Sequence, residues 1–194
     1  TTSDAANTGI GAYSLSNNRT GTGNVAVGGY SLRSNSAASR NVAVGDSSLY
    51  TQSFTNGNVG YFIDNTAVGS KALFYNQPTT NSNGAKNTAV GSEALYLNTT
   101  GQENTAMGTG ALHDNTTGSS NTAIGRSSNR LSKSGFYNSY YGYESGYTDS
   151  TGSTNTGLGA WALREHRSGN SNVAIGYRAL YNDTTGSNKV AIGA

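Results

Sequence analysis

Hydrolysis needs a nucleophile, a base and an orienting acid that converge on one spot. The chain has two histidines, His113 and His166, and carboxylates scattered along it as Asp46, Asp64, Glu93, Asp114, Glu144, Asp149, Glu165 and Asp183. His113 and Asp114 are sequence neighbours, and neighbours on a strand point to opposite faces, so they do not read as a catalytic pair. Cysteine is absent, which removes thiolate chemistry, a disulfide framework and the Cys/His spacing of a metal site. "GTGNVAVGG" (21–29) lacks the helix that must follow a phosphate-binding loop. No enzyme, metal or cofactor is expected. The chemistry that stands out is aromatic: Phe136, Tyr137, Tyr140, Tyr141, Tyr143 and Tyr147 fall within "SGFYNSYYGYESGYTD", residues 134–149. A phenol joins a flat apolar face to a polar tip and suits contact with sugars or protein.

These residues are carried by a repeat. "NTAVGSEALYLNTTGQE" (87–103) and "NTAMGTGALHDNTTGSS" (104–120) agree at ten of seventeen positions. The opening Asn recurs as Asn7, Asn24, Asn41, Asn65, Asn87, Asn104, Asn121, Asn138, Asn155 and Asn172, with Lys189 in the next slot, at steps of 17, 17, 24, 22 and then 17 throughout. Four residues on stands a Gly in every copy: Gly11, Gly28, Gly45, Gly69, Gly91, Gly108, Gly125, Gly142, Gly159, Gly176 and Gly193. A Val/Ile column precedes that Gly, and a Leu column (Leu15, Leu32, Leu49, Leu73, Leu95, Leu112, Leu163, Leu180) follows it. One unit cannot close a core, but stacked units can.

"NTAVG" alternates with period two and is β-branched, and 17 residues are too few for a helix pair. The glycines, with a second column at Gly21, Gly101, Gly118, Gly135, Gly152, Gly169 and Gly186, mark two corners. The expected fold is all-β: a β-solenoid of about eleven coils, two short strands per coil. Stacking at ~4.8 Å makes a rod about 50 Å long, with the Asn column as an amide ladder. At that spacing His113 and His166, three coils apart, are separated by about 14 Å. If Val and Ile fill the interior, the Ala column (Ala26, Ala43, Ala67, Ala89, Ala106, Ala123, Ala174, Ala191) forms a smooth outer strip against which another backbone can pack. The glycosylation-type tripeptides at Asn18, Asn98, Asn115 and Asn182 follow from the Thr-rich repeat itself.

"NVAVG" (24–28, 41–45), "NVAIG" (172–176) and "KVAIG" (189–193) resemble the "SVAIG" coil of the YadA-like head of trimeric autotransporter adhesins. The fuller unit also resembles Asn/Thr/Gly-rich repeats of phage tail fibres. The resemblance covers residues 7–194. This chain's repeat is longer than the adhesin's and carries an added "AL". The resemblance implies a left-handed parallel β-roll, a homotrimer, an extracellular place on a cell surface or virion, and a role in cell adhesion. The expected partners are further copies of the chain and a host-cell surface glycan or protein receptor. The chain, 1–194, reads as a single solenoid segment cut from a longer fibre.

Departures from the repeat are where receptor contact is expected, because the ladder itself serves stability. The two long steps place insertions around 58–64 and 77–86, at one corner of adjacent coils. Candidate contact residues are Tyr61, Phe62, Pro78, Phe136, Tyr137, Tyr140, Tyr143, Tyr147 and Trp161. Tyr50, Phe74, Tyr96 and Tyr181 recur one residue past the Leu column and should point outward. Twelve basic residues against ten acidic ones give no field to steer nucleic acid, and no apolar run is long enough for membrane insertion. Two other functions fit a solenoid: ice binding by the column after the Asn (Thr66, Thr88, Thr105, Thr122), and a structural filament spacer. The first is disfavoured if that column lies on the core side.

Overall fold

In the computed structural model, which describes residues 6–194, the chain winds as a parallel β-solenoid of about eleven turns. Each coil adds one three-residue strand to a single sheet: β1 (Thr8–Ile10), β2 (Val25–Val27), β4 (Val42–Val44), β6 (Thr66–Val68), β7 (Thr88–Val90), β8 (Thr105–Met107), β9 (Thr122–Ile124), β10 (Ser139–Tyr141), β11 (Thr156–Leu158), β12 (Val173–Ile175) and β13 (Val190–Ile192). Register is in step throughout: Ala89 faces Ala106, and Ala106 faces Ala123. The first insertion adds a two-stranded ladder, β3 (Ala38–Ser39) with β5 (Tyr61–Phe62).

Among the described residues the "AL" arm, expected as the second strand of each coil, forms no strand. The "AL" arm is a run of turns closed by bonds such as Ala72 N–H to Gly69 O (3.3 Å) and Asn76 N–H to Leu73 O (3.3 Å), while intervening groups bond to the next coil, as Leu73 N–H does to Ala94 O (3.0 Å). The Leu column sits at positive φ, +51° at Leu73 and +52° at Leu95. That left-handed conformation costs a β-carbon residue about 1–2 kcal/mol. It persists because the buried side chain and the bonds to both neighbouring coils fix it.

The core is inverted relative to the expected one. The Ala column is fully buried from Ala26 to Ala174 and half-buried at Ala191 in the end coil, whereas the Val/Ile column and the Thr/Val column are half-buried or exposed on the outer face of the sheet. Leu from the arm fills the interior, and only Ala fits opposite it in so thin a tube. A second small column, Ser48, Ala72, Ala94, Ala111, Ser128 and Ala162, completes the apolar half.

The other half of the interior is polar. The side-chain oxygen of each ladder Asn accepts the backbone N–H of the next: Asn104 N–H to Asn87 Oδ1 (3.0 Å), then Asn121 N–H to Asn104 Oδ1 (3.0 Å). Its Nδ2 donates to a corner carbonyl, as Asn87 does to Gly101 O (2.9 Å). Asn24, Asn41, Asn65, Asn87, Asn104, Asn121, Asn155 and Asn172 all take part. A second ladder runs beside it: Asn98 Nδ2 to Asn76 Oδ1 (2.9 Å) and Asn115 Nδ2 to Asn98 Oδ1 (2.8 Å). Asn98 and Asn115 are buried within it and cannot serve as glycosylation acceptors.

The glycines before the arm (Gly28, Gly45, Gly69, Gly91, Gly108, Gly125, Gly159, Gly176) hold φ between +124° and +132°. A β-carbon on Gly108 would lie 2.6 Å from the carbonyl of Gly125 in the next coil. Shape and stacking distance both demand glycine there.

Candidate functional site

The first insertion leaves the regular path after Gln52 and rejoins it at Tyr61, which pairs with Ala38 across β3 and β5. Its extra residues therefore fall at about 53–60, overlapping only the start of the 58–64 stretch expected, and Tyr61 and Phe62 already pair with the preceding coil. Tyr61 and Ile63 are buried with Ala37, Ala38 and Ala85, and Phe54 packs on Tyr61 edge to face at 5.5 Å. Burial pushes the Tyr61 hydroxyl up to about 12. Tyr61 is thus a core residue of the corner rather than a contact residue. Pro78 is buried too, at the base of the second insertion, and is withdrawn for the same reason. The tip beyond it is tied by Asn83, whose Oδ1 accepts the N–H groups of Thr79 (2.9 Å) and Thr80 (3.2 Å).

Alternation along β5 turns Phe62 outward, 61% exposed. The Arg40 guanidinium lies 4.0 Å from its ring centroid and is held by a two-point pairing with Asp64 at 2.8 Å. Between Phe62 and the second insertion opens a cavity of about 260 Å³, walled by Phe62, Asp64, Asn81, Ser82, Lys86, Gln102 and Glu103 among others. Lys86 and Glu103 pair across it at 3.4 Å. Two distant breaks in the repeat thus meet in one walled corner.

The tyrosine-rich segment does not form one patch, because residues 136–147 wrap most of a coil. Phe136 and Tyr137 are exposed at the corner, and Tyr141 lies on the outer sheet face. Tyr143 and Tyr147 lie on the arm. Tyr140 takes the place of a column Ala, is fully buried, and so is no contact residue. Its ring fills the space vacated where Gly146 replaces Leu and Gly157 replaces Ala: a β-carbon on Gly146 would come within 2.5 Å of the ring. Its hydroxyl donates to Asp149 Oδ2 at 2.6 Å, and Asp149 also accepts from Gly152 N–H and Asn155 Nδ2.

Burial raises the Asp149 carboxyl above the ordinary aspartate value, outweighing the Tyr140 hydrogen bond, the nearby His166 and the Gly152 and Asn155 bonds. A raised carboxyl binds its proton in the folded chain at a pH where the unfolded chain has lost it, so its contribution is complete below the unfolded pKa and lost as pH rises through the folded one. The stability of the native chain relative to Asp149→Asn should therefore rise as pH is lowered from 7 toward about 4, measured by urea unfolding of both proteins. A difference that is flat, or that falls on acidification, would contradict that assignment.

On the arm, Tyr50, Phe74, Tyr96 and His113 stack coil on coil with centroids 4.9, 5.4 and 5.0 Å apart. Further along, Arg164 lies 5.1 Å from the Tyr147 ring and bonds Glu144 at 2.8 Å, while Trp161 stands between Tyr143 (5.9 Å) and Tyr177 (5.4 Å). Arg178 approaches Trp161 and Tyr181. The arm thus carries an aromatic and cationic tract, of which sequence showed only part.

His113 and Asp114 do meet, Nδ1 to Oδ1 at 2.5 Å, because the arm is a turn rather than a strand. The other ring nitrogen faces Glu93 at 3.7 Å, so both nitrogens are turned toward carboxylates rather than a hydroxyl nucleophile. His166 is buried in the second polar column, its nitrogens 3.2 and 3.4 Å from the carbonyls of Asp183 and Gly169. Among the described residues no three His, Cys, Asp or Glu side chains are grouped to hold a metal ion. No family model matches the chain, and no curated protein or solved structure is significantly similar to it.

Proposed function

We propose that the chain is a non-enzymatic fibre segment: a rigid rod that associates with copies of itself, as a homotrimer, and presents receptor-binding surface from its corner insertions and arm. By resemblance it acts outside the cell or on a virion, in a phage tail fibre or a bacterial surface adhesin. The observation that carries the reading is the outer face of the long sheet. Met107 and Leu158 are 42% and 48% exposed on it, in line with half-buried Val27, Val44, Val68, Val90, Ile124 and Ile175, and Ile10 and Ile192 continue the line in the two end coils. At strand spacing this strip runs about 50 Å and is roughly 500 Å² in area, in the ~300–600 Å² range of the largest apolar patch on an ordinary monomer, which is often functional. It takes over the role expected of the Ala column.

Sedimentation should find the native chain associated. The double substitution Val90→Lys and Met107→Lys places charges in mid-strip and should shift it to monomer with an unchanged circular dichroism spectrum. A native chain that is monomeric at all concentrations would refute self-association through this face.

The same face favours a second reading. Thr66, Thr88, Thr105 and Thr122 point outward in successive coils, which removes the objection that they lie on the core side, and a regular Thr array can bind ice. The column is uneven, however, with Val25, Val42, Val173 and Val190 lacking hydroxyls, and the bulky Tyr141 stands in the neighbouring column of the same face. Thermal hysteresis at micromolar protein would make ice binding the preferred function. A rod that self-associates yet binds no surface would be a spacer.

A further inference from the structure

Resting on the fibre reading, we propose that the corner cavity beside Phe62 is a binding site for a neutral saccharide, with one sugar ring seated on the phenyl face. Three features select that class. The charges are already matched: Asp64 is held by Arg40 and Glu103 by Lys86, which leaves no unpaired cation to draw a phosphate, sulfate or carboxylate. The strand edge is closed, since Lys86 N–H donates to Ile63 O at 2.7 Å, so an extended peptide cannot pair along β5. What remains is the exposed phenyl of Phe62, one face of which carries the Arg40 guanidinium, in a lining it shares with the polar residues Asn81, Ser82 and Gln102. An apolar face beside clustered donors and acceptors matches a pyranose, which carries C–H groups on one face and hydroxyls at its rim.

Size agrees. The cavity of about 260 Å³ lies just under the ~300–1,000 Å³ typical of pockets for drug-sized ligands, room for one ring with its neighbours leaving over the lip. The site is built by departures from the repeat: Phe62 is placed by the first insertion, and Asn81 and Ser82 belong to the second. Regular coils elsewhere lack the second part: Phe136 occupies the Phe62 column in a coil with no insertion to wall it. Because the Asn83 turn and the Arg40–Asp64 pairing already hold the walls, little ordering is needed on binding.

The test is an array of neutral oligosaccharides, with sialylated and sulfated ones alongside, probed with the whole chain. The best neutral binder is then titrated against Phe62→Ala, Gln102→Ala and, as a remote control, Tyr13→Ala. The expected result is binding to neutral members, weakened about tenfold or more by Phe62→Ala and measurably by Gln102→Ala, unchanged by Tyr13→Ala, with circular dichroism constant. Binding confined to charged glycans, no glycan binding at all, or neutral binding indifferent to both cavity variants would each overturn the proposal. Sedimentation and cell binding, measured in parallel, separate these failures from that of the fibre reading: a self-associating chain that binds cells but no neutral glycan keeps the fibre and loses this site.

Discussion

Gly108→Ala should cost about 4 kcal/mol and lower the thermal midpoint by roughly 10 °C or more. Two terms add. The φ of +131° at Gly108 is a conformation that a β-carbon makes strained, and the added methyl would sit 2.6 Å from the Gly125 carbonyl above it. The coils cannot part to make room without breaking bonds on both sides, among them Gly125 N–H to Met107 O at 2.8 Å. Two other glycines separate the terms. Gly193 has a similar φ, +126°, with nothing within 4 Å, so Gly193→Ala should show strain alone and a smaller loss. Gly29 has ordinary backbone geometry, and only the mobile Asp46 carboxylate lies near, at 3.1 Å, so Gly29→Ala should be close to neutral. Thermal melts followed by circular dichroism rank the three. Equal losses at Gly108 and Gly29 would mean that coil spacing is not set by these corners.

Tyr140 and Gly146 should behave as one unit. Tyr140→Ala empties a buried cavity and should destabilise by about 3–5 kcal/mol, while Gly146→Leu drives a side chain into the ring and should cost about 1–3 kcal/mol or more. Together the two changes restore the Ala and Leu of an ordinary coil, so the double variant should be more stable than either single one, with a coupling of about 2 kcal/mol or more. Urea unfolding of the four proteins completes the cycle. Additive losses would show that the ring and the missing Leu do not compensate for each other. Asp149 provides the independent mark, since its Tyr140 hydrogen bond disappears in both variants that lack the phenol.

The repeat made the solenoid legible because stacking in register forces one residue type per column, and that constraint is visible in a single chain. The corner glycines and the first Asn ladder followed directly. Which face of "TAV" turns inward did not, because alternation states only that Ala and Val are opposed. The larger side chain seemed the better filling, but the interior is filled from the far side by Leu in a left-handed backbone conformation, which no propensity of Leu announces. The same unannounced turns made the arm read as a strand and set His113 apart from Asp114. The second ladder is in view as the Asn of "NTTG" but reads only as a by-product of the Thr-rich repeat. The cavity was half legible: both insertions were placed at one corner, yet Tyr61 and Pro78 were counted as surface because nothing local shows that the insertion builds a small core of its own.

The bonds between one coil and the next run along the rod rather than across it. Tension applied between the chain ends therefore opens them a few at a time, and an edge coil, bonded to a neighbour on one side only, peels first. Each coil released yields about 58 Å of slack from 17 residues of extended chain. A rod of this build would be stiff against bending yet lengthen in steps under a pull.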